Sequence, residues 1–534
     1  MNRIIETDVV IAGAGPVGLT LAHELASRGI RSELLDPRQS AGLMSPRCKQ
    51  MNPRSMEIFR RLGLVPTIRA NARLPFGWSD SAAFCTSLLG QPIERFDGVF
   101  ALSDIRRTEL AEPGLWCGQN RLEEALRAGL SYRSEITPRW GWTAQSIQQD
   151  PSHVIVEASD NHENTHRIRG RYVVGADGGR STIRRSLGIS LDGRSHEISN
   201  LQVIFKAPGL AERQSHGRAV QYWVINSEVN GLMGTLDTED TWWAIIINAP
   251  HEPTTEWIEN ALHTMIGGEY PIEIRSRDPW TARMLVADSY RDGNVFLAGD
   301  AAHLNPPWGG FGANTGIGDA ADLGWKLAAT LQNWGGPKLL DSYEIERRPM
   351  AMRAISEAEQ NMRVLTGELA QPGLDAESPQ GSEARTQVAA AIRRSKTSEM
   401  YTLGFVLGAS YVDSPLVIPD DRPAQQSTTT RYVPSGAPGS RLPHFWLRPD
   451  RSLYDDLGAG FTLVEVAAET ATARWEECAT QRGIPFTRLR LNRPDLVETY
   501  GAQYLLVRPD QHIAWRDDVD PADPGAILDQ VRGQ

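Results

Sequence analysis

The feature that most restricts the fold lies near the N terminus. An apolar strand, Asp8–Ala12, runs straight into Gly13-Ala-Gly15-Pro16-Val-Gly18. Helical spacing of Val17, Leu21, Ala22 and Leu25 follows, and Gly29 is well placed to end that helix. A second strand, Ser32–Leu35, then delivers Asp36. Strand, GxGxxG, helix, strand and an acid about twenty residues on make up the dinucleotide fingerprint in its required context. Gly13 makes the turn, Gly15 admits a pyrophosphate to the backbone, and Gly18 lets helix and strand pack closely. Asp36 is expected to accept hydrogen bonds from an adenosine ribose, which disfavours a 2′-phosphorylated nucleotide at this position.

Two later stretches repeat the theme. Tyr172–Leu187 is an apolar strand ending in Gly175-Ala-Asp177-Gly178, with a helix predicted from about Ser181. Asn294–Lys326 opens as a short strand, turns at Gly299-Asp300, crosses a loop rich in Pro and Gly, and enters a long helix. Small or apolar residues at Ile317, Ala320, Ala321, Gly324, Leu327 and Leu331 give that helix one buried face. Unpaired amides at its start, with the dipole behind them, suit a ligand that becomes negative there, as a reduced flavin does at its pyrimidine end. Taken alone, such a connection could bind nothing. Three glycine-acid turns together imply loops converging on one large ligand.

A chain of 534 residues is expected to form two or three domains. Its net charge of −11 argues against nucleic acid or an anionic membrane as the main partner. No apolar run is long enough to span a bilayer, and no signal peptide opens the sequence. Cys48, Cys85, Cys117 and Cys478 lack any close spacing of the metal or redox kind, which fits a reducing compartment. A cytoplasmic protein is the expectation.

Between these motifs the character of the chain changes. Pro46–Gly63 contains a predicted helix after Pro53, with Arg60 and Arg61 on its solvated side and Arg54 an ordinary surface charge. Arg47, in the preceding loop, is either another surface charge or a residue that returns to the ligand. Leu74–Asp104 reads as a strand pair. Gln119 opens the amphipathic helix Gln119–Leu130, as a ligand contact or as a cap. Leu201–Pro250 alternates and is rich in aromatic residues, as an antiparallel sheet of a separate lobe would be. Helices dominate from Lys338, broken at Gln371–Glu383. Ser414–Arg441 reads as a linker, and Leu442–Gln534 as a small α/β unit.

The three motifs in this order, with Gly299-Asp300-Ala-Ala-His303, Pro306-Pro307 and Asn314, resemble the FAD-dependent aromatic hydroxylases, the single-component flavoprotein monooxygenases. The tail resembles the thioredoxin-like extension of their larger members, such as phenol hydroxylase and the polyketide and indolocarbazole oxygenases, without a Cys-x-x-Cys pair. The resemblance implies an α/β fold with a discontinuous Rossmann-like FAD domain (1–73, 105–190 and 285–400). It further implies an inserted antiparallel β-sheet substrate domain (74–104 and 191–284), a linker (401–441) and a thioredoxin-like domain (442–534).

Carried over by residue, the resemblance gives Asp300 the ribityl chain and Asp177 the nucleotide side. It gives Gly312, Ala313 and Asn314 backbone donors to the flavin pyrimidine, and Arg47, Gln119 and Pro307 contact with the ring. His303 is structural in this reading, and Trp308 reshapes the pocket entrance. Tyr222, His216 and Arg283 are candidates for assisting ionisation of the substrate. The implied reaction uses NADPH or NADH to reduce FAD and adds O₂ at flavin C4a. The hydroperoxide then transfers one oxygen to a phenolic or polycyclic aromatic substrate. Baeyer–Villiger or decarboxylative oxygenation, and a catalytically silent flavin-binding partner, remain alternatives. A homodimer is compatible with the sequence.

Overall fold

The computed structural model describes residues 4–41, 47–363, 369–467 and 471–534. Pro46 and the end of the helical run after Arg363 lie outside them. A six-stranded sheet, Arg291–Asp292, Val295–Leu297, Tyr172–Gly175, Val9–Ala12, Ser32–Asp36 and Ile136–Trp140 in that spatial order, forms the centre of the nucleotide lobe. Apart from the first strand it is parallel. Val9–Ala12, Tyr172–Gly175 and Val295–Leu297 are buried along their whole length, as strands covered on both faces must be. All three glycine-acid turns therefore leave the same edge of one sheet.

The helix Pro16–Ala26 crosses the long helix Phe311–Leu331 at close range. A Cβ on Gly316 would lie 2.5 Å from Val17 Cγ2, and one on Gly324 would lie 2.7 Å from Glu24 Cβ. Glycine at these two positions, eight residues apart on one helix face, is what lets the crossing form. It sets the N terminus of the long helix beside the fingerprint.

The second lobe is an eight-stranded sheet of His303–Leu304, Glu273–Ala287, Leu191–Lys206, Thr241–Ile246, Gly231–Thr235, Gln221–Val224, Ser81–Cys85 and Pro92–Asp97. It is antiparallel except where Gln221–Val224 runs parallel to Ser81–Cys85. The two long strands, Glu273–Ala287 and Leu191–Lys206, lie second and third in that order and carry it back toward the nucleotide lobe. Because alternate side chains face opposite ways, the neighbours Trp242 and Trp243 separate. Trp242 joins the core under helix Thr255–Ile266, while Trp243 joins Trp116, Trp223 and Trp308 on the other face.

The tail forms a four-stranded sheet in the order Phe486–Arg490, Phe461–Glu465, Tyr504–Val507, Ile513–Asp517, with the first pair parallel and the others antiparallel. Helices Arg474–Gln481 and Pro524–Val531 cover it, giving the thioredoxin-like arrangement. Cys478 is a free, half-buried thiol on the first of these helices.

The stretch read as a linker is packed. Leu416 is fully buried, Ile418 N–H donates to Ala514 O (2.8 Å), and Ser410 and Arg441 bridge to Ser440 and His512. Proline and serine content misled here, because the segment takes its order from the surfaces it joins. The arginines of helix Pro53–Arg61 also correct their reading. Arg54 donates to Asp510 O (2.6 Å), Arg60 to Glu112 and Asp455 (both 2.7 Å), and Arg61 to Pro509 O (2.8 Å). They hold the tail against the nucleotide lobe. Charge on a helix face marks a solvated face only when no domain covers it.

Candidate functional site

At the fingerprint, Gly13 adopts φ +102° and approaches Ala176 so closely that a Cβ would lie 2.3 Å from its carbonyl oxygen. A Cβ on Gly18 would lie 1.9 Å from Gly13 O. Gly15 differs. It has ordinary extended backbone (φ −75°, ψ −174°), and no protein atom lies within 4 Å of where its Cβ would be. Pro16 starts the helix, where its missing N–H is no loss. Two glycines are thus demanded by the fold, whereas Gly15 is spared a side chain on the open side, where a phosphate would approach.

Asp36 is buried and already engaged. Its Oδ2 accepts from Ala14 N–H (2.8 Å), and its Oδ1 accepts from Arg38 N–H and Nε (2.8 and 3.0 Å). Arg38 also reaches Glu123 (2.8 Å), which accepts from Gln119 Nε2 (2.9 Å). The expected cap at Gln119 is carried instead by its backbone, whose N–H donates to Cys48 O (2.8 Å). One chain of bonds, Gln119–Glu123–Arg38–Asp36, therefore joins the fingerprint acid to the helix Gln119–Gly129. Arg38 went unnoticed in the sequence, although a basic residue two beyond the fingerprint acid was the signal.

At the second turn, Asp177 Oδ2 accepts from Thr182 and Ile183 N–H (2.7 and 3.2 Å), while its buried Oδ1 has no partner among the described residues. At the third, Gly299 (φ +60°) donates its N–H to Asp319 Oδ2 (3.1 Å). The Asp300 side chain lies open to the groove and makes no hydrogen bond to the described residues, yet the surrounding protein mass raises its pKa; His303 and Arg47 offset this in part. His303 is fully buried, with Nε2 2.9 Å from Asp319 Oδ2 and Nδ1 3.0 Å from Asn305 Oδ1. Burial opposes its charge, but Asp319 outweighs burial and the imidazole pKa rises; Asp319, also held by Arg347 (2.9 Å), moves down in turn. Bonded at both nitrogens, the ring fixes the turn.

The helix Phe311–Leu331 begins behind Gly309 and Gly310, both at positive φ (+88° and +65°). The amides of Gly312 and Ala313 precede its first i→i−4 bond and have no helical acceptor. Asn314 acts through its side chain. Oδ1 accepts from Asn52 N–H (2.9 Å) and Ser55 Oγ (2.7 Å), and Nδ2 donates to Gln50 O (3.0 Å) and Gly310 O (2.7 Å). It clamps the loop whose Pro307 stands exposed beside these amides. Arg47 is exposed and lies 3.5 Å from Asp278 on the eight-stranded sheet.

Tyr222 is corrected. Its side chain belongs to the face under helix Thr255–Ile266, and its hydroxyl donates to Gly217 O (2.7 Å) and accepts from Ala219 N–H (3.0 Å). Burial pushes the phenol up to about 12. It closes a turn on the side of the sheet away from Trp308. His216 bonds Ser87 O (3.1 Å), and Arg283 is exposed. None of the three meets the face bearing Trp243, because period-two alternation turned Tyr222 the wrong way.

An open Gly15, the partnerless carboxylate oxygens at Asp177 and Asp300 and the free amides at Gly312 and Ala313 follow one groove. A phosphate at Gly15, a nucleotide hydroxyl at Asp177, a ribityl hydroxyl at Asp300 and the flavin pyrimidine at the two amides would meet these groups, so the residues present fit FAD. The model of the FAD binding domain family matches residues 6–358, and that of the aromatic-ring hydroxylase C-terminal domain matches 435–534. The chain belongs to the FAD-dependent aromatic-ring hydroxylases. This hydroxylase is 33% identical to tetracenomycin B2 monooxygenase-dioxygenase of Streptomyces olivaceus, over 99% of this chain and 98% of that one. It is 30% identical to 2,4-dichlorophenol 6-monooxygenase of Delftia acidovorans, over 96% and 95%. A structure of RebC with bound 7-carboxy-K252c superposes with a TM-score of 0.90 at 34% identity, covering 99% of this hydroxylase and 100% of RebC. It is an enzyme, an FAD-dependent monooxygenase that uses NAD(P)H and O₂. No helix among the described residues is long and apolar enough to cross a membrane.

Proposed function

We propose that this enzyme hydroxylates a phenolic, polycyclic aromatic substrate held between the flavin loop and the eight-stranded sheet. The observation that carries the reading is the sheet face turned toward that loop. It presents Trp243, Ile204 and Ile245, with Trp116 tilted against Trp243 (centroids 6.4 Å apart) and Trp280 against Trp308 (5.8 Å). Flat, apolar walls of this kind suit a fused aromatic ring and exclude water from it. Bound FAD supplies the redox chemistry that divides O₂ between product and water.

The chain's own part is to hold and orient. Asp300 would take the ribityl hydroxyls, and the amides of Gly312 and Ala313 would face the pyrimidine edge and favour its reduced, anionic form. Pro307 would wall the ring on the substrate side. Arg47, tethered to Asp278, would add positive charge nearby. The similarity to a 2,4-dichlorophenol monooxygenase and to a tetracenomycin B2 monooxygenase-dioxygenase supports an aromatic substrate of phenolic type. Four free cysteines and a need for NAD(P)H support a cytoplasmic setting. A panel of mono- and polycyclic phenols tests the reading. At least one should stimulate NAD(P)H oxidation severalfold and yield a product heavier by one oxygen. Stimulation by none, or stimulation with H₂O₂ as the sole product throughout, would refute it.

A further inference from the structure

Three lysines among the described residues are almost wholly buried: Lys49, Lys326 and Lys396. Lys326 lies 2.6 Å from Glu346 and Lys396 lies 2.7 Å from Glu399, so each has a carboxylate. Lys49 has none. Its Nζ donates to Gln202 Oε1 (2.9 Å) and sits 4.4 Å from the centroid of the Trp243 ring. A buried ammonium without a counter-anion is costly, and an amide oxygen with one indole face is weak compensation. Desolvation accordingly lowers its pKa to about 8, with Cys48 opposing.

The position of Lys49 is set by the strand Gln50–Met51, which pairs with Leu115–Trp116. On one side of this segment, Gln50 reaches Gly310 and the backbone at Cys48 meets Gln119, both on the flavin side. Lys49 turns to the sheet instead, onto the face that carries Trp243. Gln202 shares that face, because it pairs with Ile245 on one side and Asp278 on the other. The amine thus stands in the layer between flavin loop and aromatic wall. The charged and titratable groups around it are Cys48 beside it, Asp278 with its partner Arg47 across the sheet, and Asp300 beyond Cys48.

We propose that Lys49 takes the proton of the substrate's phenolic oxygen and holds the resulting phenolate as its missing counter-anion. This rests on reading the substrate as a phenol. The O–H bond breaks, its proton moves to Nζ of the neutral amine, and the electron pair stays on oxygen, leaving an ammonium–phenolate pair. Gln202 and Trp243 aim the amine and supply no negative charge of their own. The ion pair activates the ring for oxygen transfer, since an unperturbed phenol, with a pKa of about 10, is neutral at the pH of the cell.

The test uses the FAD-loaded enzyme with 4-nitrophenol and 1-hydroxyanthraquinone, whose phenolates absorb at longer wavelength than the phenols. Bound dye should ionise at a pH lower than free dye by at least about one unit, a tenfold change in its ionisation constant. K49M should lose the shift while retaining flavin and circular dichroism, and K49R, whose guanidinium stays charged and cannot take the proton, should hold the bound phenolate but lose at least about tenfold in substrate-stimulated turnover. A wild-type enzyme whose bound dye ionises like free dye would overturn the proposal without recourse to any variant. So would a folded K49M that preserves the shift. If neither dye binds at any concentration, the phenol reading itself falls, and the role of Lys49 falls with it.

Discussion

The guanidinium of Arg508, carried on the tail just beyond strand Tyr504–Val507, lies 2.6 Å from Glu346 Oε1 on helix Ser342–Arg363 of the nucleotide lobe. Both residues are buried, with Asp322, Lys326 and Asp510 around them. Three carboxylates share two cations. Burial lifts Asp322 well above its usual range; for Glu346 burial also pushes upward, but Arg508 and Lys326 outweigh it and its pKa falls. The tail is joined to the nucleotide lobe by charge that water cannot screen. Arg508→Met leaves those carboxylates with Lys326 alone and should cost about 3–5 kcal/mol. Arg451→Met, which removes an exposed pair with Asp456, should leave the midpoint close to wild type. Urea midpoints of the two variants against wild type check this, and equal shifts would contradict it.

Gly15 and Gly18 stand three residues apart but should fail differently. Gly18→Ala forces a methyl into Gly13 O and should prevent a stable nucleotide lobe. In Gly15→Ala the methyl meets no protein atom, so the flavin-free protein should melt within a degree or two of wild type while FAD affinity falls at least about tenfold. Melting of the apoprotein and flavin fluorescence titration measure the two effects separately. Loss of fold in Gly15→Ala would disprove the assignment.

Asp300 offers an unpaired carboxylate to the groove, whereas Cys478 lies on the outer helix of the tail. Asp300→Ala should weaken FAD by roughly 1–3 kcal/mol, a factor of about five to over a hundred. Cys478→Ser should leave both affinity and turnover unchanged. A folded, flavin-loaded Cys478→Ser enzyme without oxygenase activity would revive a redox role for the tail.

His444 makes the joint sensitive to acid. Its Nδ1 lies 2.8 Å from Thr108 O and its Nε2 2.8 Å from Ser452 Oγ, contacts that the neutral ring makes by donating at Nδ1 and accepting at Nε2. Burial lowers its pKa to about 4 from 6.5. The unfolded chain takes up the proton first, so this contribution is intact above pH 6.5 and is lost as pH falls from 6.5 toward 4. At 1.36 kcal/mol per unit the loss is at most about 3 kcal/mol. His444→Gln should therefore lose less thermal stability than wild type between pH 7 and pH 5. A parallel decline in both proteins would rule this out.

The three glycine-acid turns were legible because their geometry is local. Gly13, Gly15, Gly18, Asp177 and Asp300 lie in turns that follow apolar strands, and turn and spacing are properties of short sequence. What escaped depended on partners far away in the chain. Arg54 reads as a surface charge until residues 510–511 cover it, and Lys49 looks like any loop lysine until Gln202 and Trp243 close over it. Strand Glu273–Ala287 runs with polar alternation through Pro279 and takes its order from its long partner Leu191–Lys206. Tyr222 failed on a parity of one residue, which no composition can fix.

The most direct test of the account is an isotope measurement. The FAD-loaded enzyme is incubated with NAD(P)H, a stimulating phenol from the panel and ¹⁸O₂ in ordinary water, and the product is examined by mass spectrometry. The account predicts one ¹⁸O atom in each product molecule, bonded to the aromatic ring, with about one NAD(P)H oxidised per product. A product that carries only ¹⁶O, or NAD(P)H consumed with all of the ¹⁸O recovered as peroxide, would contradict it.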